Sequence, residues 1–124
     1  MKAARMGRVQ LRIMQVLWAN GRASAREITD ALNEEEPIAH STVQTLLRKL
    51  EEKGSVAHDA QDRTFLFYPL VEEDHVTRDA TRDLIERVFA GSVAGLVSYL
   101  VREERIPRKE LEQIRKLIDE KTIK

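Results

Sequence analysis

The sequence predicts a mostly α-helical chain carrying one small β-hairpin, and three observations support that expectation. Apolar residues recur at i, i+3, i+4 and i+7 through most of the chain, the period of a helix with one buried face. Between Ser55 and Pro69 that period gives way to two β-prone runs, Val56-Ala57-His58 and Thr64-Phe65-Leu66-Phe67-Tyr68, about the turn Ala60-Gln61-Asp62-Arg63. Stop signals then fall at Asn20-Gly21, Lys53-Gly54 and Gly91, each at the end of an apolar stripe.

The first helix is expected from about Arg8 to Ala19, with Val9, Ile13, Met14, Leu17 and Trp18 on its apolar face. Ser24 stands three residues before Glu27, the spacing at which each side chain satisfies the other's free backbone N–H. A second helix therefore starts at Ala25, buries Ile28, Ala31 and Leu32, and frays in Glu34-Glu35-Glu36 before Pro37. The third helix starts near His40, buries Val43, Leu46, Leu47 and Leu50, and ends at Lys53-Gly54, where glycine suits a left-handed cap. After the hairpin, Val71 to Asp74 reads as a connector. Helix four follows with Ala80, Leu84, Ile85, Val88 and Phe89 on one side. Helix five carries Val93, Leu96, Val97, Leu100 and Val101 at heptad-like spacing, and Pro107 opens helix six with Leu111, Ile114, Leu117 and Ile118.

Composition narrows the function classes. The 124 residues suit one compact domain, or a small domain with an oligomerisation element. There is no cysteine, which excludes disulfides, thiolate metal sites and cysteine nucleophiles. No apolar run approaches the ~20 residues of a bilayer helix, so membrane insertion is not expected. Met1-Lys2-Ala3-Ala4-Arg5 lacks the apolar core of a signal peptide, and a cytoplasmic location is expected. Twenty-one basic residues balance 21 acidic ones, which argues against a protein that coats nucleic acid indiscriminately. Yet residues 1–26 hold Lys2, Arg5, Arg8, Arg12, Arg22 and Arg26 and no acid, either a local contact patch or a solvated face.

The third helix points to a function. Opposite its apolar stripe stand Ser41, Thr45 and Arg48, flanked by Gln44 and Lys49, all able to reach base edges or phosphates. A polar helix of this kind, preceded by a short helix and followed by a hairpin, is the pattern of a winged helix-turn-helix whose second helix enters the major groove. Arg63, at the hairpin tip, is the natural wing contact. The alternative is a winged-helix adaptor that binds protein without specific DNA binding.

The expected division is a winged helix-turn-helix DNA-binding domain at residues 1–71 and a helical dimerisation domain at residues 72–124. Three short helices rarely make a sufficient core alone. Their apolar residues (Leu84 and Val88; Val93, Leu96, Val97, Leu100 and Val101; Leu111, Ile114 and Leu117) are therefore expected at a two-fold interface with a second copy. The alternative is that these helices fold back on the first domain.

Neither metal nor cofactor is expected. His40, His58 and His75 lack the paired spacing of a metal site. His40 reads as a phosphate or water contact at a helix start, and His58 as a strand surface residue. Catalysis is not expected either: His40 and Ser41 are neighbours in sequence, but adjacent helical residues project about 100° apart and make no dyad.

Several runs are shared with a known family. Met14-Gln15-Val16-Leu17-Trp18, Ser41 to Leu50 (Ser-Thr-Val-Gln-Thr-Leu-Leu-Arg-Lys-Leu), Lys53-Gly54 and Phe65-Leu66-Phe67-Tyr68 resemble the BlaI/MecI/CopY family of bacterial repressors. The likeness extends from about Arg8 to Glu120. It implies a homodimer that binds palindromic operators, with Ser41, Thr42, Gln44, Thr45 and Arg48 at the DNA and the wing on the backbone. It also implies release by a sensor-protease signalling system that triggers cleavage in the helix matching Val93 to Glu104. The family's Asn-Phe bond aligns with Tyr99-Leu100, and both residues differ. The copper-sensing branch uses paired Cys-x-Cys motifs, which this chain lacks. Where the family's wing has Gly-Arg, this chain has Asp62-Arg63, and the carboxylate opposes phosphate contact.

Overall fold

The computed structural model describes residues 6–122. Contacts divide the chain into two compact units, up to Thr81 and from Arg82 onward. The division falls within a helix.

The first unit opens with α1 (Arg8–Asn20), closed by Gly21, whose φ of 86° lets its N–H reach the Leu17 carbonyl at 2.7 Å. A two-residue strand, β1 (Ala23–Ser24), leads straight into α2 (Ala25–Asn33). The capping box forms as the spacing requires: Glu27 N–H donates to Ser24 Oγ at 3.1 Å, and Ser24 N–H donates to Glu27 Oε1 at 2.8 Å. Ser24→Ala leaves one of these donors without its acceptor and is expected to cost about 1 kcal/mol, read as a lower urea midpoint at unchanged slope.

Helix α3 (His40–Glu52) follows a turn held by one side chain. Asn33 donates through Nδ2 to the Thr29 and Ile38 carbonyls and accepts the Ile38 N–H at 3.0 Å. The Lys53-Gly54 end reverses the chain with Gly54 at φ 82°. Strands β2 (Val56–Gln61) and β3 (Thr64–Pro69) then pair antiparallel from Val56↔Pro69 to Gln61↔Thr64. β1 adds to the far side of β3, so the sheet order is β1-β3-β2.

The hairpin is longer and its turn tighter than the sequence suggested. Only Asp62 and Arg63 lie outside the strands, both with left-handed φ (49° and 68°). That is the mirror-image two-residue turn that matches strand twist, formed here without the usual glycine.

Ile13, Met14, Leu17, Ile28, Leu32, Val43, Leu47, Leu50, Val56 and Phe67 pack as one buried cluster. Leu46, expected in the buried stripe of α3, is only half-buried, so the stripe is centred on Val43, Leu47 and Leu50. Ala31 is likewise half-buried. Trp18 lies at the core's edge and donates its indole N–H to the Val71 carbonyl at 2.9 Å, fastening the chain after β3 to α1.

Beyond the sheet run α4 (Glu73–Val88), α5 (Val93–Glu103) and α6 (Arg108–Thr122). Gly91, with φ 85°, separates α4 from α5, and Ser92 caps α5 by accepting the Gly95 N–H at 2.8 Å. Along the described parts of these three helices only Val76 and Ile85 are buried. Among the described residues no single helix is long and apolar enough to cross a membrane.

Candidate nucleic-acid interface

The polar face of α3 is set by the same periodicity that buries Val43, Leu47 and Leu50. Ser41, Thr42, Gln44, Thr45, Arg48 and Lys49 are all exposed. Thr45 Oγ1 donates to the Ser41 carbonyl at 3.0 Å, which leaves its lone pairs outward. The start of α3 is anchored from behind by Thr29, whose hydroxyl donates to the Ala25 carbonyl and lies 2.9 Å from His40 Nδ1. That hydroxyl has one proton and gives it to the carbonyl, so His40 Nδ1–H is the donor in the second contact. One face of His40 chemistry is therefore spent on holding α3 to α2, a role the sequence did not suggest.

Between α3, the start of α2 and the hairpin lies an open groove of about 730 Å³. Its walls bring together Gln44 and Arg48 from α3, Arg63 from the turn and Arg26 from α2. Three arginines thus line one groove, although the chain has no net charge. Arg26 was hidden in the acid-free run 1–26, and the capping box that fixes the start of α2 is the signal that could have singled it out.

The other described arginines of that run are committed elsewhere. Arg8 makes two hydrogen bonds of 3.0 Å to Glu36, and Arg12 reaches the Leu32 carbonyl and both Glu35 and Glu36. The Arg8 contact holds the Glu36 carboxyl below its usual range and raises the guanidinium. Any stability it adds is present above the usual carboxylate range and fades as pH falls through the lowered value. Arg22 pairs with Asp59 at 2.7 Å and lies over the Tyr68 ring, 4.5 Å from its centroid. Lys2 and Arg5 lie outside the described residues. Among the described arginines of the run, Arg8, Arg12 and Arg22 thus strap the domain to itself, and Arg26 lines the groove.

His58 is half-buried, which corrects its reading as a strand surface residue. Its Nδ1 is 2.8 Å from Glu51 Oε1, and its ring stacks on Phe65 with centroids 4.3 Å apart. His75 is 3.5 Å from Asp79. Among the described residues no group of three or more His, Asp or Glu side chains is placed to hold a metal ion.

On the second unit, the expected interface residues divide by exposure. Leu84, Val88, Val93, Val97, Leu100, Val101, Leu111 and Leu117 are exposed, between 39% and 65%, and Leu96 and Ile114 are half-buried. Tyr99 and Leu100 lie within α5, both exposed, with the Tyr99 ring 6.1 Å from that of Phe89.

The sequence pattern of the penicillinase repressor family matches residues 6–120. The chain belongs to that family. Among relatives in the penicillinase repressor family, it is 27% identical over 109 residues to the methicillin resistance regulatory protein MecI of Staphylococcus aureus, spanning 88% of this chain and 89% of that one. The solution structure of the DNA-binding domain of the repressor BlaI superposes with a TM-score of 0.54 at 26% identity, over 60% of this chain and 93% of that domain. The monomeric form of Bacillus licheniformis BlaI, solved in complex with the blaP half-operator, gives a TM-score of 0.52 at 26% identity, over 60% and 90% of the two chains. The winged helix-turn-helix expected from the sequence is thus the fold this penicillinase repressor family member adopts.

Proposed function

We propose that this chain is a homodimeric transcriptional repressor that binds a palindromic DNA operator. The observation that carries the reading is the groove itself. An exposed α3 face of Ser41, Thr42, Gln44, Thr45, Arg48 and Lys49 stands beside Arg63 of the wing, on a domain folded like the BlaI domain that was solved with half-operator DNA. In the reading, residues 1–71 bind DNA and residues 72–124 dimerise. α3 lies in the major groove, where Gln44 can pair with adenine and Arg48 with guanine or phosphate. Arg63 takes the backbone. The protein acts by occupying DNA in the cytoplasm and catalyses no reaction.

Dimerisation is supported by the apolar surface left open on α4 to α6. Monomeric proteins rarely expose contiguous apolar patches beyond a few hundred Å², and a second copy covers such a face by two-fold symmetry. The candidate bond for release by a sensor-protease system is Tyr99–Leu100. It lies within α5, so cutting it requires α5 to open locally first.

The test is a comparison of two cation deletions by fluorescence anisotropy. Arg48→Ala is expected to weaken binding to DNA from upstream of the protein's own gene by about 1–3 kcal/mol. Lys121→Ala, near the end of α6, is expected to change it by less than about 0.5 kcal/mol. Equal losses would remove the groove from the account.

The wing gives a second expectation. Asp62→Asn keeps a residue that tolerates left-handed φ and removes the carboxylate beside Arg63. Affinity for DNA is expected to rise about twofold to fivefold, with stability unchanged or slightly higher. A fall in affinity would show that Asp62 serves recognition rather than opposing it.

A further inference from the structure

We propose that His58 is the positioning residue that sets the angle of the wing against α3, and so the reach of Arg63. The inference rests on the DNA-binding reading. In antiparallel strands the residues at i and i+2 share a face. Val56, His58 and Ala60 on β2 therefore lie on one face with Phe65, Phe67 and Pro69 on β3, where His58 is paired directly with Phe67 and Ala60 with Phe65. At its base this face is core: Val56 and Phe67 are buried. One step further out it becomes the wall of the groove, where His58 stacks on Phe65, itself 52% exposed.

Beyond that step no other hydrogen bond or ion pair among the described residues ties the ribbon to α3. Residues 59–65 are all exposed, and a two-stranded ribbon alone is marginal in water. Its direction is therefore decided where it leaves the core. There the His58 ring does two things at once. Its edge meets Glu51 of α3 at 2.8 Å, and its flat face lies against Phe65, two residues from Arg63. The strap from Arg22 to Asp59 ties the ribbon to the start of β1 and does not reach α3. A phenylalanine in place of His58 would keep the stack without the carboxylate contact, and a glutamine the reverse. Histidine supplies both.

The experiment uses the full chain in two arms. Without DNA, 15N relaxation compares wing residues 60–64 in the wild type, His58→Ala and His58→Phe. His58→Ala is expected to show lower order in the wing, with His58→Phe intermediate; unchanged order in His58→Ala overturns the proposal. With the duplex from upstream of the protein's own gene, His58→Ala, Arg63→Ala and the double variant form a cycle. His58→Ala is expected to weaken binding about fivefold to tenfold, and the double variant to bind no more than about twofold worse than Arg63→Ala alone. Additive losses overturn the positioning role. If the wild type does not prefer its own duplex to a scrambled one, the repressor reading fails, and the relaxation arm still decides whether His58 holds the wing.

Discussion

Leu100→Asp is expected to yield a folded monomer whose DNA affinity falls by about two to four orders of magnitude. Leu100 belongs to α5, which has no buried residue within its own chain although Val93, Val97, Leu100 and Val101 are all large and apolar. In the proposed dimer these side chains are buried by the partner. Two-fold symmetry would place two new carboxylates in that interface, each costing several kcal/mol unless paired. The loss of DNA binding follows without any change to α3, because two linked half-site contacts become independent. Sedimentation equilibrium reads the first consequence and anisotropy the second. The first unit should keep its unfolding midpoint, since its core does not include α5. A variant that sedimented as a dimer would remove α5 from the interface.

Leu50→Ala is expected to destabilise the first unit by about 2–5 kcal/mol. Leu50 is fully buried in the cluster formed by α1, α2, α3 and the sheet. Small domains are stable by only about 5–15 kcal/mol, so the change removes a large part of the margin. Thr45→Ala, on the opposite and exposed side of α3, should cost less than about 0.5 kcal/mol. The contrast within one helix separates the residues that hold the site from those that form it. Urea unfolding of both variants at equal slope is the check; equal midpoints would contradict the orientation of α3.

Local rules made much of this fold readable. The Ser24–Glu27 cap, the glycine stops and the apolar period placed each helix within a residue or two, because these signals act over one or two turns. What escaped depends on partners distant in sequence. β1 is two residues long and exists because β3 offers Phe67 and Leu66 as pairing partners. The turn contracted to Asp62-Arg63 because strand twist favours the two-residue connection even where neither residue is glycine.

The same distinction applies to the site. The outward residues of α3 follow from the helical period, and all of them are exposed. Arg26 reaches the groove only through the packing of α2 beside α3, and His58 meets Glu51 only through the sheet register. Arg8, Arg12 and Arg22 could not be told from contact residues by charge alone. The acids that engage them, Glu35, Glu36 and Asp59, lie 23 to 37 positions away in sequence.

The most direct test of operator binding is titration of the intact protein against a fluorescent duplex from upstream of its own gene, across salt, with random DNA as competitor. Competitor-resistant binding at two chains per duplex is expected, with affinity falling steeply as salt rises because phosphate contacts release counterions. Binding no tighter than to random DNA would contradict operator binding, leaving a winged-helix domain whose partner is a protein.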